Sequence, residues 1–148
     1  MRTFKQDLAK GMCSEDFCLP YFQRLSPSPV RRLGKYARFD YESDDCLIEL
    51  KTRFDITSKT YDTTMINKHK VDAAKGQTKK VYYAFRFTDG IYYIQYDPVV
   101  FADFQYMPLT IQDRADYIEV EEDKMFIPVK CLTLLHGITP PARRNTYI

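Results

Sequence analysis

Hydrophobic and polar residues alternate in two neighbouring runs in the first third of the chain. The first run covers residues 36–42 (YARFDYE) and the second covers residues 46–52 (CLIELKT). Alternation with a period of two residues is typical of half-buried strands. The acidic pair Asp44 and Asp45 interrupts the alternation, and such pairs commonly form turns. The pattern therefore predicts two antiparallel strands joined by a short acidic loop.

Helical patterns flank this strand pair on both sides. Imperfectly spaced apolar residues predict helix over residues 3–25, with Gly11 separating a short helix from a longer one that begins at Ser14. A second helix is predicted over residues 64–76, because a threonine pair suits its N-terminus and Gly76 suits its end. The strand pair is thus expected between two helices.

Further strand signals follow in the C-terminal half. Two β-rich runs around Asp89 and Gly90 predict a hairpin over residues 79–97. Residues 117–129 (YIEVEEDKMFIPV) predict another hairpin, as a C-terminal extension, and residues 130–135 (KCLTLL) predict a short helix. The order of helix, strands, helix and strands predicts an α/β or α+β fold, in which helices pack on a central sheet.

Length and composition agree with one soluble domain. The chain has 148 residues, 45% hydrophobic and 28% charged, and we expect a single domain over residues 1–148. The net charge of +2 is too small to indicate a nucleic-acid partner by itself. The four cysteines match no zinc or disulfide spacing, and neither a membrane span nor a secretory signal is recognisable. We therefore expect an intracellular protein of the cytoplasm, nucleoid or nucleus, neither secreted nor membrane-bound.

The predicted strand pair brings three charged residues together. With Asp44 and Asp45 at the centre of the loop, Asp40 lies directly opposite Glu49. Opposed residues point to the same side of a sheet, with their Cβ atoms roughly 4.5–5.5 Å apart. Lys51 follows Glu49 by two positions and therefore shares that face. Leu50 points the other way, into the expected core.

Opposed carboxylates destabilise a strand pair unless something offsets their repulsion. A divalent cation does so, because Mg²⁺ binds through a few carboxylates together with waters and substrate oxygens. The Leu50 carbonyl is a further candidate ligand, and Lys51 would lie beside a metal-bound water. Two alternatives stand beside this interpretation. Lys51 neutralises Glu49 on a solvated face, as common surface ion pairs do, or Asp44 or Asp45 replaces Asp40 as the ligand.

The segment FDYESDDCLIELKTR resembles the core motif of the PD-(D/E)xK nuclease superfamily, in which an Asp, a turn and Glu-x-Lys follow one another. Phe39 occupies the place of the usual proline. The resemblance covers about residues 12–97 and implies a restriction-endonuclease-like core with a mixed central sheet. It implies Mg²⁺ or Mn²⁺ as the cofactor, metal ligation by Asp40, Glu49 and the Leu50 carbonyl, and catalysis by Lys51. The chain is also similar to small stand-alone members of this superfamily from phages and large DNA viruses.

The family's first helix often carries a glutamate aimed at the site, and Glu15 is the matching residue, with Asp16 as its competitor. Two basic groups surround the acidic strand pair and suit the phosphate backbone. The first comprises Lys68, Lys70 and Lys75, with Lys79 and Lys80 after them, and the second comprises Arg31, Arg32, Lys35 and Arg38.

The predicted activity is hydrolysis of phosphodiester bonds in DNA, with RNA as a second possible substrate. The alternatives are a catalytically inactive nuclease fold that binds nucleic acid or a protein, and a structural protein. A duplex-cutting enzyme of this size often works as a homodimer, because two strands need two sites.

Overall fold

The structure, a computed structural model, describes residues 4–111 and 120–139. Its helices are α1 (Phe4–Phe22), α2 (Lys68–Asp72) and α3 (Pro98–Ala102), with 3₁₀ turns at Gln23–Leu25 and Val129–Cys131. The strands are β1 (Arg31–Arg32), β2 (Tyr41–Glu42), β3 (Cys46–Thr52), β4 (Thr63–Asn67), β5 (Lys80–Phe87), β6 (Gly90–Gln95), β7 (Tyr106–Ile111), β8 (Val120–Pro128) and β9 (Thr133–Gly137). No helix in the described part of the chain is both long and apolar enough to cross a membrane.

Two sheets organise these elements. The larger sheet has the strand order β1-β2-β3-β5-β6-β9, and the smaller one has the order β4-β8-β7. Strands β3 and β5 run parallel, whereas their neighbours in the larger sheet pair in antiparallel fashion. A central mixed sheet flanked by helices was predicted, and the α+β architecture confirms it.

The two faces of the larger sheet carry separate cores. Helix α1 covers one face, where Phe22 packs in the same cluster as Ile48 and Leu50. Helix α2, helix α3 and the smaller sheet cover the other face, where Leu47 and Tyr83 are buried. Because side chains alternate along a strand, β3 directs its even-numbered residues to α1 and its odd-numbered residues to the smaller sheet.

The predicted pairing of the first two strands is confirmed, although one strand is short. Tyr41 faces Ile48 and Glu42 faces Leu47, which is the register expected from an acidic loop at Asp44 and Asp45. Strand β2 contains only two residues. The second half of β3 therefore extends beyond its neighbour and leaves an open edge on that side.

The helix predicted over residues 64–76 is wrong in its first part, because residues 63–67 form β4. Thr64 and Ile66 are buried whereas Thr63 is exposed, which is the period of a strand. They pair with Ile127 and Met125 of β8. Strand β8 lies about sixty residues away from β4 in the sequence. The sequence pattern around residues 64–76 contains no sign of this distant partner, and it therefore favoured a helix.

The C-terminal prediction needs two corrections. Residues 130–135 do not form a helix; they pass from a 3₁₀ turn into β9, which pairs with the open edge of β6. Residues 120–128 are a single strand whose hairpin partner is β7, so no hairpin lies within residues 117–129 as predicted. Residues 117–119 of that prediction lie outside the described residues.

Smaller differences occur at the remaining elements. Helix α1 is continuous, so Gly11 does not divide it and Ser14 lies inside it. The predicted hairpin of β5 and β6 is confirmed, but Phe87 pairs with Gly90, which moves the two-residue turn to Thr88 and Asp89. A side chain at Gly90 would place its Cβ 2.9 Å from the carbonyl oxygen of His136, so β9 approaches too closely for another residue.

Candidate active site

Asp40 continues the strand pair beyond the end of β2. Its N–H donates to the Ile48 carbonyl (3.0 Å), and its Oδ2 accepts a hydrogen bond from the Leu50 N–H (2.8 Å). The carboxylate thus takes the place of a missing strand partner at the open edge of β3. Its charge also raises the pKa of Glu49. The structure therefore brings Asp40 and Glu49 together, as the register predicted.

The Leu50 carbonyl faces this same edge. A residue within a strand directs its N–H and its C=O to the same side, and the Leu50 N–H meets Asp40. The Leu50 side chain belongs to the core beneath α1, so only its backbone reaches the site. A backbone oxygen and two carboxylates thus converge where β2 has ended.

Glu49 is a buried acid with one oxygen left unpartnered. The residue is 3% exposed, which excludes the alternative of an ion pair with Lys51 on a solvated face. Its Oε1 lies 3.4 Å from the Lys70 Nζ, whereas its Oε2 is buried and has no hydrogen-bond partner among the described residues. Such an oxygen costs about 1–3 kcal/mol, and a cation would satisfy it.

The surroundings of Glu49 shift its pKa towards neutrality. Burial and then the Asp40 charge raise its pKa to about 7, although Lys51 and Lys70 both act to lower it. Both protonation states are therefore accessible near neutral pH. A modest added positive charge beside Glu49 would favour the ionised form.

Lys51 lies on the same face as Glu49 and is half-buried. Burial lowers its pKa, the charges of Lys70 and Arg53 lower it further, and Glu49 and Asp40 oppose them. An amine with a lowered pKa exchanges protons more readily near neutral pH than an ordinary lysine does. Its position and chemistry suit proton transfer at a water held beside the carboxylates.

Glu15 reaches the margin of this acidic group from α1. Its Oε2 accepts a hydrogen bond from the Arg32 Nη2 (2.6 Å), and Arg32 also pairs with Asp16. Burial and the neighbouring Asp40 raise the pKa of Glu15, whereas Arg32 lowers it. The Tyr41 hydroxyl donates to the Glu15 carbonyl (2.6 Å) and so anchors the helix against β2. Glu15 thus contacts Asp40, while exposed Asp16 faces Arg32.

The donor set fits a hard divalent cation. Two carboxylates and a backbone carbonyl are oxygen ligands, which Mg²⁺ and Mn²⁺ prefer over nitrogen or sulfur. The orphaned Oε2 of Glu49 is the observation that supports this fit. No group of three or more His, Cys, Asp or Glu side chains within residues 4–111 and 120–139 is arranged to hold a metal. A site here would therefore use few protein ligands, as Mg²⁺ sites commonly do.

The predicted phosphate contacts occupy different positions around the site. Lys70 lies beside Glu49, and its Nζ also approaches the Arg38 carbonyl (3.5 Å), while the Arg38 side chain is exposed. Lys68 and Lys75 both form salt bridges to Asp72 at 3.1 Å. Of the four predicted phosphate contacts, Lys70 thus contacts the acidic group directly, whereas Asp72 partly neutralises Lys68 and Lys75.

Two contributors escaped the sequence analysis. Arg32 appeared only as part of a basic group, yet it forms salt bridges to both Glu15 and Asp16 of α1. Tyr83 is paired with Glu49 across the sheet, and its hydroxyl donates to the Lys70 carbonyl (2.8 Å), which holds Lys70 over the site. The basic residues that precede the acidic strand in the sequence could have indicated Arg32. No sequence pattern could have indicated Tyr83, because its role depends on the parallel pairing of β3 and β5.

Comparison with protein-family models finds no match to the chain, and comparisons with curated proteins and with solved structures find none either.

Proposed function

We propose that this protein is a divalent-metal-dependent nuclease of the PD-(D/E)xK type that hydrolyses phosphodiester bonds in DNA. The observation that carries the proposal is the buried Glu49, which lies beside Asp40 and Lys51 and whose Oε2 has no hydrogen-bond partner within residues 4–111 and 120–139. Opposed acids in a sheet need a compensating charge. An adjacent lysine with a lowered pKa supplies the proton-transfer group that phosphodiester hydrolysis requires.

Each residue has a role that follows from its position. Asp40, Glu49 and the Leu50 carbonyl would hold Mg²⁺ or Mn²⁺, which when bound polarises the phosphate and activates the attacking water. Lys51 orients that water and exchanges a proton at its Nζ. Glu15, held by Arg32, supports Asp40 from α1. Lys70 and Arg38 contact the phosphate backbone, which makes binding dependent on salt.

The partners follow from the same chemistry. DNA is the proposed substrate, and RNA is an alternative because phosphate contacts do not distinguish the two. A homodimer would supply the two sites that cutting both strands of a duplex requires. The intracellular location proposed for the protein is where such a substrate occurs.

A second function is favoured by the ion pair between Lys70 and Glu49. The ammonium of Lys70 already opposes the Glu49 carboxylate at 3.4 Å, so the chain supplies part of the charge that a metal would supply. A nuclease fold that has lost its metal would look like this and would bind nucleic acid or a protein without cutting. Its distinguishing property is binding that needs no divalent ion.

Metal binding and cleavage test the proposal separately. Calorimetry with Mn²⁺ should show a site in the wild type that Asp40→Asn removes and that Asp44→Asn, a control in the exposed turn, retains. Lys51→Ala should abolish Mg²⁺-dependent cutting of plasmid and oligonucleotide DNA while DNA binding persists, and Lys59→Ala, which removes an exposed lysine, should cut normally. DNA binding without cleavage under any divalent ion would favour the binding module. Absence of both binding and cleavage would contradict both functions.

A further inference from the structure

A cavity of about 570 Å³ opens beside the acidic group. Helix α1 and the carboxyl ends of the parallel strands β3 and β5 form its walls, and its lining includes Cys13, Ser14, Phe17, Thr52, Arg53 and Arg86. The volume lies in the range of small-ligand pockets, and the carboxyl end of parallel strands is a common position for such pockets.

The cavity and the acidic group use neighbouring residues of the same two elements. On α1, the charge of Glu15 interacts with Asp40 and the preceding Ser14 lines the cavity. On β3, Lys51 belongs to the acidic group and the following Thr52 lines the cavity. The Ser14 and Thr52 hydroxyls are 2.7 Å apart and join α1 to β3. Because successive residues of a strand point to opposite faces, the cavity lies on the α1 face of β3, whereas Glu49 and Lys51 point to the other face.

Arg86 gives the cavity a positive charge. Its Nη1 donates to the Ser14 hydroxyl (3.2 Å). Within the part of the chain that the structure describes, no carboxylate forms a salt bridge with Arg86. Arg53 also lines the cavity, but its guanidinium donates to Thr64 and Met65 of β4, on the other face of β3. A half-buried cation without a counter-ion favours an anionic ligand.

An aromatic surface lies next to this charge. The Phe17 ring is 38% exposed, and the Arg86 guanidinium lies 4.0 Å from its centroid. Aromatic rings and arginine planes are the surfaces on which unstacked bases pack. An arginine without a counter-ion beside an exposed ring offers one surface for the phosphate of a nucleotide and one for its base.

We infer that this cavity binds one unpaired nucleotide of the substrate, with its phosphate at Arg86 and its base against Phe17. The inference rests on the proposed function and narrows its substrates to strands that carry an unpaired nucleotide. A base must leave the duplex stack to enter a pocket in a protein, so single strands, ends and branches are preferred over intact duplex.

Cys13 provides a direct readout of occupancy without any substitution. It is exposed and lines the cavity, whereas the exposed Cys131 lies outside the lining and acts as an internal control. The wild-type protein is treated with iodoacetamide in the absence of divalent ions, and alkylation of each cysteine is followed by mass spectrometry. Saturating thymidine 5′-monophosphate should slow alkylation of Cys13 about tenfold and leave Cys131 unchanged.

Variants and smaller ligands make this experiment specific. Protection of Cys13 should disappear in Arg86→Gln and Phe17→Ala and persist in Lys59→Gln, which removes an exposed cation elsewhere. Thymidine and inorganic phosphate should each protect far less than the nucleotide. Equal effects at both cysteines, no effect at Cys13, or full protection by inorganic phosphate would overturn the inference. The wild-type comparison decides the matter even where Arg86→Gln fails to fold.

The outcome is separable from that of the nuclease assay. Protection of Cys13 in a protein that cuts no DNA would uphold the nucleotide pocket and contradict the nuclease. Metal-dependent cutting that needs Lys51, with no protection of Cys13, would uphold the nuclease and contradict the pocket.

Discussion

The two faces of β3 are both buried, yet they carry opposite chemistry. Towards α1, the strand places Ile48 and Leu50 in an apolar cluster. Towards the smaller sheet, it places Glu49 and then Lys51, whose pKa values burial shifts towards neutrality. Burial of ionisable groups opposes folding, and the apolar face offsets that cost. The contrast separates a face that stabilises the domain from a face that is arranged for chemistry.

The largest expected effect is on activity. Lys51→Met should reduce the rate of Mg²⁺-dependent cleavage by about 10²–10⁴-fold, which is the usual contribution of a general acid–base group. The variant loses the amine that is proposed to exchange a proton with the attacking water. Stability should change little, since methionine fills the same space without a charge to desolvate. Single-turnover cleavage and urea unfolding measure the two effects. A variant that still cuts at the wild-type rate would remove Lys51 from the mechanism.

On the opposite face, Ile48→Ala should affect stability instead. Ile48 is fully buried beneath α1, so its truncation should lower the free energy of unfolding by about 3 kcal/mol. Leu134→Ala, on the edge strand β9, truncates a side chain that is 54% exposed and should cost less than about 1 kcal/mol. Urea unfolding measures both. Mn²⁺ affinity of folded Ile48→Ala should match the wild type, and a large loss of affinity would show that the faces are not independent.

Stability should depend on pH through Glu49. Its pKa is about 7 in the folded protein against an ordinary value of 4.5, so the folded state binds more protons between these values. The contribution of Glu49 to the free energy of unfolding is therefore fully present below pH 4.5. It is lost as pH rises through 7, which lowers the free energy of unfolding by about 3 kcal/mol. Urea unfolding without divalent ions should show this loss in the wild type and not in Glu49→Gln.

Two comparisons check the assignment of this pH effect to Glu49. Asp44→Asn, in the exposed acidic turn, should retain the wild-type pH dependence. Millimolar Mg²⁺ at pH 8 should restore stability to the wild type and leave Glu49→Gln unchanged, because ligand binding stabilises only the folded state that holds the site. Identical pH profiles for the wild type and Glu49→Gln would assign the effect to another group.

The smallest effect is expected at the rim of the charged face. Lys70→Gln should weaken DNA binding and reduce the slope of log affinity against log salt by about one, as expected for one lost phosphate contact. Lys59→Gln, which removes an exposed lysine, should leave the slope unchanged. Salt titrations with a labelled oligonucleotide give both slopes. An unchanged slope in Lys70→Gln would confine Lys70 to its ion pair with Glu49.

Sequence patterns predicted strand pairing correctly where the two paired strands lie close together in the sequence. The acidic loop and the alternation around it determined the register in which Tyr41 faces Ile48 and Glu42 faces Leu47. Asp40 follows directly on that pair, where its N–H donates to the Ile48 carbonyl and its carboxylate accepts from the Leu50 N–H. The same local reasoning failed for residues 63–67 and 133–137, which became strands. Their partners β8 and β6 are distant in sequence, and pairing with them outweighs local propensity.

Sequence alone determined that Glu49 and Lys51 share the charged face, because the period of two in a strand fixes the side on which they lie. Only the tertiary structure decided that this face is buried. The smaller sheet and α2, built from residues distant from β3, cover it and desolvate it. That desolvation raises the pKa of Glu49, whose Oε2 is buried without a hydrogen-bond partner among the residues that the structure describes. Periodicity is a local property of the chain, whereas desolvation depends on everything that packs against it.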